Sequence, residues 1–137
     1  MRKTITKIVE AACAHQLHNS DLSIEQNKEL YGACNNLHGH TYKLECSISG
    51  DVQPSGFIMN FVDLKRILNK CFVNKYDHKY LNEILPNIIS TCENQVDLIF
   101  SDIQKELDDI NNSYMINLKV EKITLWETPT SFCTLEA

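Results

Sequence analysis

The 137-residue chain is poor in glycine (4) and proline (3). That excludes a collagen-like repeat and a Pro/Gly-rich disordered polypeptide. No apolar run approaches the roughly 20 residues that span a bilayer. Positive charge is in deficit too: 13 Lys and Arg stand against 18 Asp and Glu, a formal charge of −5. A general nucleic-acid binder carries a basic patch or stripe, so neither nucleic acid nor a membrane is an expected partner. An anionic small molecule stays open, because a local pocket charge can oppose the global one. The six cysteines include no C-x-x-C pair, which excludes a zinc ribbon and a thioredoxin-type redox motif. Glu10 interrupts the N-terminal apolar stretch before a signal-peptide h-region can form. The thiols are therefore expected in a reducing cytoplasm, most of them as small buried hydrophobes. The rest is ordinary for a soluble globular protein: 43% hydrophobic and 23% charged residues, in a length that predicts one domain over 1–137.

Periodicity orders the chain. Over 4–14, Val9, Ala11 and Cys13 share a face with His15 at a period of two, which predicts a strand. Residues 16–33 read as a loop with a short helix around Ile24–Leu30. From 38 to 49 alternation is clear: His38, His40, Tyr42, Leu44, Cys46 and Ile48 on one face, Gly39, Thr41, Lys43, Glu45, Ser47 and Ser49 on the other. This predicts a half-buried antiparallel strand. Asn60 can cap a helix carrying Phe61, Leu64, Ile67, Leu68, Cys71 and Phe72. Ser90 precedes Glu93 by three, a capping-box signature, ahead of a helix with Val96, Ile99, Phe100, Ile103 and Leu107 on one stripe. Strand-like runs at 114–127 and 131–135 close the chain. Two strands, two helices and two strands predict an α+β domain with helices on one face of an antiparallel sheet.

Four constellations could carry chemistry. His38 and His40 lie two apart on one strand face, with Cα atoms about 6.5 Å apart, and His15 ends the neighbouring strand. Three imidazoles with an open fourth position is the pattern of a catalytic zinc; the plainer reading is a chance pair of surface histidines. Cys34 lies in a polar segment and lacks the packing role evident for Cys46 and Cys71. Near a metal and imidazoles its thiolate could act as base or nucleophile; otherwise it is a loop thiol. Asp77-His78 could be a charge-tuned proton carrier or a solvated turn. Glu127 shares a face with Ile123 and Leu125, so it needs a partner if buried and none if the strand end is open.

Taken in order, the pieces are Ala14-His15, Cys34-Asn35-Asn36-Leu37-His38-Gly39-His40, Gly56-Phe57-Ile58-Met59-Asn60-Phe61, Asp77-His78-Lys79-Tyr80-Leu81-Asn82, Thr91-Cys92-Glu93-Asn94 and Trp126-Glu127-Thr128-Pro129. Their order and spacing resemble the 6-pyruvoyl-tetrahydropterin synthase / 6-carboxy-tetrahydropterin synthase family of tunnelling-fold enzymes over nearly the whole chain. The resemblance implies a β-β-α-α-β-β subunit forming trimers that each close a barrel, two trimers stacking as a homo-hexamer with active sites between subunits. It implies Zn2+ on His15, His38 and His40, and a catalytic Cys34 working with Asp77 and His78. Glu127 would anchor the pterin, beside Thr91, Cys92 and Glu93. The implied substrate is 7,8-dihydroneopterin triphosphate. Triphosphate is lost, and the 6-carboxy enzymes also release acetaldehyde on the way to queuosine and other deazapurines.

Three positions depart from the family pattern: Gln16 stands where Arg is frequent, Cys92 where Ser or Ala is usual, and Ala11 where Phe is common. His18 lacks the context of a ligand. Three residues separate Cys34 from His38, which resembles the 6-carboxy branch and makes 6-carboxy-tetrahydropterin synthase the leading expectation. Cys34-Asn35-Asn36 resembles the 6-pyruvoyl version, which is the alternative. A non-catalytic zinc protein, with Cys34 as fourth ligand, is a third reading.

Overall fold

In the computed structural model, which describes residues Met1–Ala137, alternation of polar and apolar residues builds one four-stranded antiparallel sheet. Strand β1 (Arg2–His15) pairs with β2 (His38–Asp51) without a break from Arg2↔Asp51 to His15↔His38. Strand β3 (Lys119–Thr128) lies beyond β2, and β4 (Ser131–Glu136) beyond β3, so β1 and β4 are the sheet edges. Because side chains alternate faces, Val9, Ala11, Cys13, Tyr42, Leu44, Cys46, Ile48, Ile123 and Leu125 all enter the core. Thr4, Thr6, Glu10 and Thr41, in the other phase, stay exposed.

Five helices complete the chain: α1 (Ile24–Tyr31), α2 (Phe61–Leu68), α3 (Asn74–Tyr76), α4 (Leu81–Ile84) and α5 (Cys92–Tyr114). Helix α1 starts from a reciprocal capping box: Ser23 Oγ accepts the Gln26 N–H, and Gln26 Oε1 accepts the Ser23 N–H. Helices α2 and α5 bring Leu64, Ile67, Leu68, Val96, Ile99, Ile103 and Leu107 to the core. Full burial of each such side chain is worth about 1.5–3 kcal/mol. No helix is long and apolar enough to cross a membrane.

The α+β architecture expected from the sequence is present, and four local expectations are corrected. The helix that Asn60 caps, by accepting the Val62 N–H at 2.9 Å, does not run unbroken to Phe72. It passes at Asn69 into a π-turn (Asn69–Val73) that leaves Cys71, Phe72 and Tyr76 all buried. Phe61 stands at its first position, beyond the buried stripe, and is 49% exposed. The cap of α5 is Thr91, whose Oγ accepts the Asn94 N–H at 3.3 Å, and not Ser90. The third strand begins at Lys119 rather than 114. Helix α5 continues to Tyr114, Met115 takes the left-handed conformation (φ 56°), and the Asn111 amide clasps both backbone groups of Leu118. Residues 115–118 are thus spent in the turn.

Candidate metal centre and flanking clefts

The uninterrupted β1–β2 register places the three histidines together. His15 is directly opposite His38, and Cys13 opposite His40, so the last residue of one strand meets the first residues of the next. Ring centroids are 4.6 Å apart for His15 and His38, 4.9 Å for His38 and His40, and 5.3 Å for His15 and His40. One donor nitrogen from each ring lies within 4.8 Å of the others, a set that could hold a metal ion.

The surroundings orient the rings for that purpose. His15, 1% exposed, places Nδ1 3.0 Å from both the Ser90 carbonyl and the Ser90 hydroxyl. His38 places Nδ1 2.7 Å from the Asn36 carbonyl. A carbonyl only accepts, so in each ring the proton belongs on Nδ1 and the Nε2 lone pair is presented inward, the arrangement that fixes metal-binding imidazoles. His40 Nε2 is buried with no hydrogen-bond partner, an orphaned donor atom that a metal ion would satisfy. Burial, reinforced by the charges of His38 and His40, holds His15 below its ordinary range. Burial does the same to His40 against the opposing pull of Glu127. Neutral imidazole is the ligating form.

A buried polar network surrounds His15. The Tyr42 hydroxyl lies 3.5 Å from His15 Nε2, and Gln95 Nε2 donates to the Ser90 carbonyl at 2.8 Å and faces the Tyr42 hydroxyl at 3.5 Å. Burial pushes the Tyr42 phenol far above its ordinary range, so it stays a neutral hydroxyl.

Glu127 closes one side. Its Oε1 is 3.6 Å from His40 Nε2 and its Oε2 accepts from the Cys92 thiol at 3.6 Å. Burial first, then the Glu127 charge, pushes the Cys92 thiol up to about 12, so it is a donor and not a nucleophile. The cleft here is lined by His40, Lys43, Trp126, Glu127 and Pro129. Of the Thr91-Cys92-Glu93 segment only Cys92 meets Glu127; Thr91 caps α5 and Glu93 is exposed.

A second cleft lies across the β1 edge, lined by Cys13, Gly39, His40, His78 and Tyr80. Asp77 Oδ1 accepts the Ala12 N–H at 2.8 Å, and Oδ2 accepts from His78 Nδ1 at 2.7 Å. The Ala12 N–H, followed by the His78 contact, holds the Asp77 carboxyl below the usual carboxylate range. This leaves His78 Nε2 directed away from the carboxylate on an exposed ring. His78 itself sits at φ 59°, a left-handed conformation uncommon among non-glycine residues.

Cys34 is exposed on a 3-10 turn (Gly32–Asn35), where its carbonyl accepts the Leu17 N–H at 2.8 Å. It is near the His15 end of β1 in connectivity but does not line the cleft that holds His78. One copy of the chain therefore joins the histidines, Glu127 and Cys92, and separately joins Asp77 and His78. Sequence reasoning missed Ser90 and Tyr42 as partners of His15, and Gln95 as the residue that joins them. Ser90 was visible only as a capping signature, and Tyr42 only as a core residue.

Comparison with known proteins places these features in context. The profile of the family described as 6-pyruvoyl tetrahydropterin synthase matches residues 4–137. The chain is 38% identical over 109 residues to a 6-pyruvoyl tetrahydrobiopterin synthase of Poecilia reticulata, covering 75% of this chain and 74% of that protein. It is 35% identical over 117 residues to a 6-carboxy-5,6,7,8-tetrahydropterin synthase of Haemophilus influenzae, covering 74% and 83%. A solved Caenorhabditis elegans 6-pyruvoyl tetrahydropterin synthase superposes with a TM-score of 0.85 at 29% identity, covering 100% of this chain and 96% of that one.

Proposed function

From the premise that the chain belongs to the 6-pyruvoyl tetrahydropterin synthase family of tetrahydropterin synthases, we propose that it is a zinc-dependent lyase. In this reading it converts 7,8-dihydroneopterin triphosphate to 6-carboxy-5,6,7,8-tetrahydropterin, with loss of triphosphate and acetaldehyde. The observation that carries the reading is the oriented set His15, His38 and His40 beside Glu127. Three neutral imidazoles fit zinc with one coordination position left for substrate. When bound, zinc supplies a Lewis acid that polarises oxygen on the substrate side chain.

The chain's own groups do the rest. Glu127 has two carboxylate oxygens with only long contacts inside the chain, free to accept two N–H groups from the 2-amino-4-oxo edge of a pterin. That fixes the ring and points its side chain toward the histidines. His78, oriented by Asp77, carries protons at the side-chain carbons, and the Cys34 thiol is the second proton-transfer group. Cys34 does not line the cleft that holds His78, and the sheet ends in β4 on one side and in β1, open over most of its length, on the other. Both features support assembly into trimers and a hexamer with sites completed between subunits.

The three-residue spacing from Cys34 to His38 favours the 6-carboxy product, while the names of several relatives favour the 6-pyruvoyl product. Incubation of the zinc-loaded protein with 7,8-dihydroneopterin triphosphate decides. Acetaldehyde in step with triphosphate release is the expected result. A 6-pyruvoyl product without acetaldehyde selects the alternative, and no consumption of the pterin refutes both.

A further inference from the structure

The outer edge of β1 is open over most of its length but covered beside His15. Residues 77–82 run along residues 12–16 there, joined by two backbone hydrogen bonds and one parallel bridge. The His78 N–H donates to the Ala12 carbonyl at 2.6 Å, and the Ala14 N–H to the Lys79 carbonyl at 3.0 Å; Ala14 and Tyr80 form a parallel bridge. The next rung belongs to Gln16, but at Leu81 the chain turns into α4, so no peptide group is available for it. The Asn82 side chain takes that place: its Oδ1 accepts the Gln16 N–H at 3.0 Å and its Nδ2 donates to the Gln16 carbonyl at 2.8 Å. A carboxamide carries the donor and acceptor of a peptide group, and here it meets both backbone groups of a residue 66 positions away. The Tyr80 hydroxyl adds a third bond, donating to Gln16 Oε1 at 3.1 Å.

The segment is thus fastened at both ends, by Asp77 to Ala12 and by Asn82 to Gln16. Between these ends stand His78, in its uncommon left-handed conformation, and His15, the residue before Gln16. A non-glycine residue at positive φ persists only where its surroundings over-determine it. We propose that Asn82 is a positioning residue that locks His15 and the Asp77–His78 pair into one rigid unit, so that the metal centre and the proton carrier keep a fixed relation across the β1 edge. This rests on the reading of His15 and His78 given under Proposed function. Asn82 is only half-buried, while Leu81 beside it is fully buried. The core contact of the segment therefore does not depend on the carboxamide.

The test is Asn82→Leu, which keeps the volume and removes both hydrogen bonds, compared with wild type as zinc-loaded protein. Three quantities are read: kcat and KM for 7,8-dihydroneopterin triphosphate, zinc affinity by competition with a chromophoric chelator, and amide hydrogen exchange. The expected result is kcat lowered at least tenfold with KM within threefold, and zinc bound at least threefold more weakly. Exchange at Ala14 and Gln16 should be at least tenfold faster, with Val9 and Leu44 unchanged. A folded variant that keeps kcat and zinc affinity within twofold overturns the proposal. So does a fall in kcat with unchanged exchange at Gln16, which would place the effect elsewhere. If wild type does not turn the pterin over, the catalytic reading fails on its own, and the exchange and zinc measurements still decide whether Asn82 positions His15. If Asn82→Leu does not fold, Asn82→Ala carries the same comparison, since it also removes both bonds to Gln16.

Discussion

Glu127→Gln is the perturbation that separates pterin anchoring from every other use of that carboxylate. In the chain, Oε1 stands 3.6 Å from His40 Nε2 and Oε2 3.6 Å from the Cys92 sulfur. Strong N–H···O bonds are 2.7–3.2 Å long, so both oxygens keep their acceptor capacity. In the proposed complex each receives one ring-edge N–H, a charge-assisted bond worth about 1.5–3 kcal/mol. The amide keeps one acceptor and turns the other into a donor facing a donor. The loss is one charge-assisted bond, plus about 1–3 kcal/mol for the donors left unpaired. Together these give about 2.5–6 kcal/mol, or roughly two to four orders of magnitude in kcat/KM at 1.36 kcal/mol per decade.

The same change should leave zinc in place. The Glu127 charge raises the proton affinity of His15 and His40 against the lowering effect of burial, so its removal favours the neutral, ligating rings. Steady-state kinetics with zinc content measured on the same preparation checks both halves. Cys92→Ala, which removes only a weak S–H donor, is the control and should cost less than about tenfold. A Glu127→Gln enzyme that is folded, zinc-loaded and within tenfold of wild type would refute the anchoring argument. Loss of zinc from that variant would instead make Glu127 part of the metal centre.

Two further outcomes are expected. Cys34→Ala should keep the urea midpoint and the zinc stoichiometry, because the residue is exposed and only its carbonyl is engaged. Its turnover should fall by roughly 10²–10⁴; loss of zinc together with a lowered urea midpoint would favour a structural centre with a thiolate ligand. For the metal-free chain, stability should fall as pH drops from 7.5 to 5.5. His15 and His40 titrate below their ordinary 6.5 when folded, so the unfolded chain binds more protons in that window and is favoured by acid. Asp77, whose folded value is below 3.8, contributes stability that is lost only at lower pH and does not confuse the comparison. Urea midpoints at the two pH values check this, and a midpoint higher at pH 5.5 would contradict the neutral assignment of the two rings.

What the sequence made legible was local and periodic. The alternation across residues 38–49 located β2 and the face that carries His38 and His40, because side chains two apart on a strand share a face. The same rule applied to Val9, Ala11 and Cys13 brought in His15. These inferences need one strand at a time. The pairing of His15 with His38 is a register fact, and it follows only once both faces must bury the same way. Asn82 belongs to the other class. Its carboxamide bonds a backbone 66 residues distant, and no spacing rule distinguishes it from an asparagine in a solvated turn. The left-handed Met115 and the Asn111 clasp were hidden for a related reason. The run after 114 is apolar enough to pass for strand, and its hydrogen bonds go instead to a helix side chain.

The misplaced helix cap shows most clearly where the centre departs from local rules. Ser90 and Glu93 have capping-box spacing, yet Thr91 caps α5 and the helix starts one residue later. The shift has a physical cause. Ser90 is 2% exposed, and its carbonyl accepts from Gln95 at 2.8 Å while standing 3.0 Å from His15 Nδ1. With its carbonyl engaged by Gln95 and His15, Ser90 stays outside the helix, and Thr91 next to it supplies the capping oxygen. Two needs meet at these adjacent residues: the Thr91 hydroxyl starts a helix, and the Ser90 carbonyl sets the tautomer of His15. Only the fold, which brings residue 15 to residue 90, tells them apart.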